Sequence, residues 1–226
     1  MSVIRGVSKY LKRLTQPANA HYYCTNVAGP LTEIDLDEMT SNQNKNRIVW
    51  IDMEMTGLDV DSDRILEVAC LITDENLNVV SDEFHKILHQ SDDSLSKMNE
   101  WCQSAHKTSG LVEASKKSLD NEETVDKSLL SFMKKYVPKG KCPMAGNSVY
   151  MDRLFLRKFM PSTNDYMHYR IIDVSSIKEV VKRWKPEIHE AAPSKKFNHR
   201  ALDDIRESIE ELDFYRKNVF NASVNL

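Results

Sequence analysis

The sequence predicts one α/β domain, a mixed sheet with helices packed against it. Three observations carry that prediction. Apolar, β-branched stretches early in the chain are separated by short polar turns, as in antiparallel hairpins. Further short strands then alternate with helical segments. The length of 226 residues, with 41% hydrophobic and 29% charged residues, suits one sizeable globular core with extra segments.

The elements follow in order. "RIVWIDME", 47–54, reads as a buried strand, "ILEVACLIT", 65–73, as a second, and 79–88 as a third. "DENLN" between the last two is a short turn. Residues 94–108 and 122–137 read as helices, the second ending before Pro138. "CPMAGNS", 142–148, is a short buried strand, and Ser148 is placed to N-cap a helix running through Phe159. "RIIDVSS" is a further strand, followed by a helix over 176–184 and a long amphipathic helix over 201–219. Residues 26–46 read as a polar linker, clearest at "SNQNKN". No apolar run approaches the roughly 20 residues of a membrane span.

Asp52 and Glu54 interrupt the first strand. At i and i+2 their side chains share a face, and burying two like charges together is costly. Three arrangements would offset that cost: an edge strand with both acids in water, pairing with buried Arg or Lys, or ligation of a hard divalent cation. Arg47 and Arg64 flank their strands and do not sit inside them. This stretch alone leaves the three open.

Other acids stand at suggestive places. Asp152 lies in the first turns of its helix beside Leu154, Phe155 and Leu156, where a solvated acid favourable to the helix dipole is an equally good reading. His199 and Asp204 are five residues apart. At about 100° per residue they cannot share a face of regular helix, so His199 is expected to end the loop "AAPSKKFN" while Asp204 faces a site from the helix. By itself that spacing is a weak signal. His85 and His89 read as structural or surface residues, and Cys24, Cys70, Cys102 and Cys142 contain no CxxC pair, which fits reduced thiols better than a disulfide scaffold or zinc cluster.

Charge is uneven. No acid precedes Glu33, while Arg5, Lys9, Lys12 and Arg13 lie opposite Val3, Ile4, Val7, Tyr10, Leu11 and Leu14 at helical spacing. These are the features of a mitochondrial transit peptide, with a basic tail as the alternative. Mitochondrial import is therefore the expectation, together with a cytoplasmic form if a second start site is used. Without that segment 27 basic residues face 34 acidic ones, a net charge of −7, which argues against gripping long duplex DNA by counterion release.

Asp52-x-Glu54, Asp152, and His199 with Asp204 together resemble the DEDDh exonucleases, and within them the oligoribonuclease group. "WIDMEMTGL", "ILEVACLITD", "MNEWCQSAHKTSGL", "AGNSVYMDRLFL", "YRIIDVSS" and "NHRALDDIRESIEEL" are similar to that group's signature segments and keep their order over about 47–220. The resemblance implies a ribonuclease-H-like fold: a mixed sheet of three antiparallel N-terminal strands plus further strands, flanked by helices. It implies two Mg²⁺ or Mn²⁺ ions held by Asp52, Glu54, Asp152 and Asp204, with His199 as general base. It also implies Leu58 as a wedge between terminal bases, Trp101 as a stacking platform, and His106, Ser148 and Ser175 around a 5′ phosphate. Tyr169 and Arg170 would reach in from the second subunit of a homodimer. The implied activity is 3′→5′ hydrolysis of short single-stranded RNAs, about two to five nucleotides long, a length carried by resemblance and not by any residue. The implied organisation is a basic targeting segment and linker over 1–45, the exonuclease domain over 46–220 and a tail over 221–226. Two other readings stand beside it: an exonuclease that trims longer RNA or DNA ends, and a non-catalytic nucleic-acid-binding module on the same fold.

Overall fold

The computed structural model describes residues 44–194 and 200–220. The basic N-terminal segment, the tail and His199 lie outside the described residues. Five strands form one mixed sheet among them: β1 (Ile48–Met55), β2 (Ile65–Thr73), β3 (Phe84–Ile87), β4 (Met144–Gly146) and β5 (Ile171–Asp173), in the order β3-β2-β1-β4-β5. The first three are antiparallel neighbours, and β4 and β5 add in parallel to β1. β1 is thus central in the order, bonded to β2 along its length and to β4 at Val49 and Trp50. Asp52 and Glu54 lie beyond that second pairing but are half-buried, which argues against both acids standing in open water.

Strand periodicity then assigns the faces. Val49, Ile51, Met53 and Met55 point into one core with Val68, Cys70 and Ile72. Over that core lie α4 (Glu122–Tyr136), α5 (Tyr150–Phe159) and α6 (Pro161–Tyr166), through Leu129, Met133, Phe155 and Met160, the last at the junction of α5 and α6. Ile48 and Trp50 point the other way, against α7 (Val174–Trp184) and α9 (Ala201–Tyr215), through Val181, Ile205 and Tyr215. Continued by two residues at a time, this second face carries Asp52 and Glu54, so the packing of α9 brings its own first turn to the acids. α6 is joined to α4 by Asp126, whose carboxylate accepts the Ser162 and Thr163 amides at 3.0 and 2.8 Å. Such a carboxylate stabilises a helix start by satisfying donors that have no intrahelical partner.

Several expected elements change at their ends. The expected third strand, 79–88, shrinks to Phe84–Ile87 plus an isolated bridge at Val79, because the Ser81 hydroxyl accepts the Ile72 amide at 2.9 Å in place of a strand carbonyl. The helix expected over 94–108 is two, α1 (Asp92–Ser96) and α2 (Glu100–Thr108): extended Asn99 breaks it and caps α2 by accepting the Cys102 amide at 2.8 Å. The unforeseen α3 (Leu111–Lys117) follows Gly110, whose φ of 74° favours glycine. α7 begins two residues early because Asp173 caps it, accepting the Ser175 amide at 3.0 Å. α8 (Pro186–Glu190) follows, and the last helix gives way to a π-helical turn, Arg216–Phe220. Cys70, Cys102 and Cys142 are buried free thiols, and no helix among the described residues is long and apolar enough to cross a membrane.

Candidate active site

Asp52, Glu54 and Asp204 converge: each offers a carboxylate oxygen, and these oxygens lie within 4.8 Å of one another. The first two come from the C-terminal half of β1 and the third from the first turn of α9. A compact set of hard anionic oxygens is the donor chemistry of a divalent cation. The two flanking arginines are engaged elsewhere. Arg47 donates to the Tyr136 carbonyl, and Arg64 donates to the Ser62 and Asp63 carbonyls.

Asp152 approaches β1 from α5 and is buried; its Oδ1 accepts the Met53 amide at 2.9 Å. It stands next to the three-acid cluster but is not one of its members. Burial pushes the Asp152 carboxyl up to about 8. Burial, then the negative charges of Asp204, Glu67 and Asp152, pushes Glu54 up to about 8 as well, with Arg200 pulling the other way. Both acids would bind a proton near neutral pH unless a cation replaces it.

Glu67 is the residue that sequence reasoning passed over. It is fully buried on β2, opposite Glu54 in the strand register. Burial alone would raise its pKa, yet hydrogen bonds from His85 and Arg200 hold the carboxyl below the usual range. Arg200 Nε and Nη2 donate to Glu67 Oε1 at 3.0 and 2.9 Å, and the Ala201 amide reaches Oε2 at 3.3 Å. The clamp fixes the entry of α9 and so the placing of Asp204. A single acid in an otherwise apolar nine-residue strand was the available signal.

The remaining expected residues are placed as follows. His106 is buried, its Nε2 donating to the Met55 carbonyl at 2.9 Å, with Nδ1 3.9 Å from Glu54 Oε2. Ser148 does not cap α5: its φ is +52°, Val149 is the cap residue, and no side-chain cap bond forms. Its amide is instead held by Asp173 Oδ1 and Ser175 Oγ, both at 2.9 Å, and the two serine hydroxyls lie 3.2 Å apart. Ser148, Ser175 and the acids of β1 thus gather at the C-terminal ends of the parallel strands β1, β4 and β5, where open α/β sheets bind ligands. Leu58 and Trp101 are 67% and 63% exposed. Tyr169, 73% exposed, stacks on His168 with centroids 4.5 Å apart and has the Arg170 guanidinium 5.3 Å from its ring. His199 lies outside the described residues.

Residues 49–212 match the exonuclease family RNase_T. A probable oligoribonuclease of Drosophila melanogaster is 53% identical over 173 residues, covering 76% of this chain and 82% of the relative. Human mitochondrial oligoribonuclease is 49% identical over 179 residues, 79% of this chain and 76% of that one. The chain belongs to the oligoribonuclease family. A bacterial oligoribonuclease, from Pseudoalteromonas atlantica, is 54% identical over 77% of this chain and 96% of its own. Two solved exonuclease I structures, one the zinc-bound E. coli enzyme with single-stranded DNA, superpose with TM-scores of 0.60 and 0.62 at 19% and 16% identity. They cover 76% and 78% of this chain but only 41% of their own length, and they establish the ribonuclease-H-like fold. Exonucleases of this family depend on divalent metal, and every candidate residue of this oligoribonuclease family member falls inside the matched range.

Proposed function

We propose that the protein is a metal-dependent 3′→5′ exoribonuclease that hydrolyses RNAs of about two to five nucleotides to nucleoside 5′-monophosphates. The observation that carries the reading is the convergence of Asp52, Glu54 and Asp204 on the central strand and last helix of an oligoribonuclease-family chain. Those three, joined by Asp152, would hold two Mg²⁺ or Mn²⁺ ions. When bound, such ions supply Lewis-acid stabilisation of the attacking and leaving oxygens of a phosphodiester. His199 takes the proton of the attacking water, a task suited to an imidazole with a pKa near 6.5. Leu58 and Trp101 grip the terminal bases, and their exposure supports that role. His106, Ser148 and Ser175 close around the 5′ phosphate, which limits substrate length.

Fast cleavage of RNAs of about two to five nucleotides, absent with EDTA and falling steeply toward about twenty nucleotides, is the expected result of a length series run with Mg²⁺ and with Mn²⁺. Equal or faster trimming of the longest RNA would keep the metal site and sink the closed 5′ pocket.

The working unit in this proposal is a homodimer in which Tyr169 and Arg170 serve the neighbouring subunit's site. The exposure of the stacked His168–Tyr169–Arg170 group supports it, as does the suitability of a guanidinium for phosphate. Tyr169→Ala should lower activity by about tenfold, the worth of one stacked base. Mixed with Asp204→Asn subunits it should regain activity, since one site per heterodimer is then complete. Heterodimers no more active than Tyr169→Ala alone would exclude sharing. The mitochondrial address rests on the N-terminal composition and on animal relatives named mitochondrial; localisation of the chain with and without residues 1–45 tests it.

A further inference from the structure

Leu58 sits in the 56–64 loop, between β1 and β2, and a wedge there works only if it does not yield when bases press on it. Loops usually do yield. The neck of this one is closed where the Thr56 amide donates to the Arg64 carbonyl at 2.9 Å and the Arg64 amide donates to Thr56 Oγ1 at 3.0 Å. Inside the neck a single carboxylate spans the turn: Asp63 Oδ1 accepts from the Thr56 hydroxyl at 2.8 Å, and Oδ2 accepts the Asp59 amide at 2.9 Å. These two anchors lie on either side of Gly57 and Leu58. The carboxylate passes so close that a Cβ on Gly57 would stand 2.4 Å from Asp63 Oδ2. Glycine at 57 is therefore what lets Asp63 reach across. A separate brace comes from α5, where Lys158 Nζ donates to the Val60 carbonyl at 2.8 Å and to Asp61 Oδ1 at 2.9 Å.

We propose that Asp63 is a positioning residue for base separation: its carboxylate, passing over Gly57, locks the turn that presents Leu58 and so presets the wedge before RNA arrives. The proposal rests on the reading of Leu58 as that wedge. Presetting the turn spares substrate binding the cost of ordering it. Asp63 touches neither the substrate nor the metal in this role. Losing its carboxylate leaves the neck and the Lys158 brace in place, so the effect falls on Leu58 and not on the acids of β1.

The test compares a dinucleotide with the p-nitrophenyl ester of a nucleoside 5′-monophosphate, which uses the same acids but has no second base to separate. Asp63→Ala should lower kcat/KM on the dinucleotide about tenfold, mainly through KM, and leave the ester within about twofold. Mn²⁺ affinity should not change. Leu58→Ala should also lose more on the dinucleotide than on the ester, which keeps one of the two bases that Leu58 touches. On the dinucleotide the double variant should be no worse than Leu58→Ala, as coupled residues require. Asp63→Asn should recover most of the loss, because its amide can accept from Asp59 and donate to Thr56. Gly57→Ala, which pushes the carboxylate aside without removing it, should reproduce the selective loss and serves if Asp63→Ala fails to fold. Equal losses on both substrates, or additive losses in the double variant, would overturn the proposal. A silent Asp63→Ala beside a damaged Leu58→Ala would overturn it while leaving the wedge intact. A silent Leu58→Ala would remove the wedge reading itself, and the proposal with it.

Discussion

Asp152→Asn is expected to lower turnover by about three orders of magnitude or more, equivalent to about 4 kcal/mol of lost transition-state stabilisation. The substitution is close to isosteric, and an asparagine oxygen can still accept the Met53 amide that Asp152 now holds. The fold therefore has little reason to change, while a negative charge that the proposed two-ion site uses beside Glu54 is gone. Single-turnover rates on a dinucleotide, with Mn²⁺ affinity measured calorimetrically on the same preparation, check both halves. Residual activity within tenfold of the parent would make Asp152 a structural residue, a role its burial and its bond to β1 could also fill.

In EDTA the protein should lose stability as pH rises from about 5 to 8, on the order of 7 kcal/mol in all. Glu54 and Asp152 titrate near 4 when unfolded and are pushed up to about 8 in the fold. Between those values the folded chain holds protons that the unfolded chain has released. Raising the pH through that window therefore favours unfolding. Glu67 has the opposite sign, because its folded pKa is depressed; its contribution is present above about pH 4.5 and is lost only below it. Metal replaces the protons, so saturating Mn²⁺ should flatten or reverse the slope. Asp152→Asn should flatten it as well. Urea unfolding at about pH 5, 6.5 and 8, with and without metal, measures this, and a metal-free stability that stays level or climbs across the window would contradict the electrostatic picture of the site.

Much of the site was legible because it follows from periodicity. Asp52 and Glu54 share a face by the two-residue repeat of a strand, and Ile48 and Trp50 show which face that is. What could not be read required register across distant segments. Glu67 stands opposite Glu54 only through the β1–β2 pairing, and it meets Arg200 across 133 positions of chain. Asn99 and Ser148 were misread for a local reason: both suit a helix interior or cap by type, but Asn99 starts a new helix and Ser148 adopts a left-handed backbone held by Asp173 and Ser175. Leu58 and Trp101 are large apolar side chains whose exposure no residue type or spacing in the sequence could give.

The position of the clamp in the chain also orders the protein's assembly. All five strands have been synthesised once residue 173 is made, and the β1–β2 pairing is local enough to form early. Arg200 and Asp204 come later, at the start of α9. Until they arrive, Glu67 is a charge with its principal partner missing, which disfavours closing the sheet around it. A growing chain can therefore lay down the scaffold of a nuclease without possessing its cation site. Hydrolytic competence is deferred until α9 and the residue before it are made, when they supply both the missing counter-charge and the third acid.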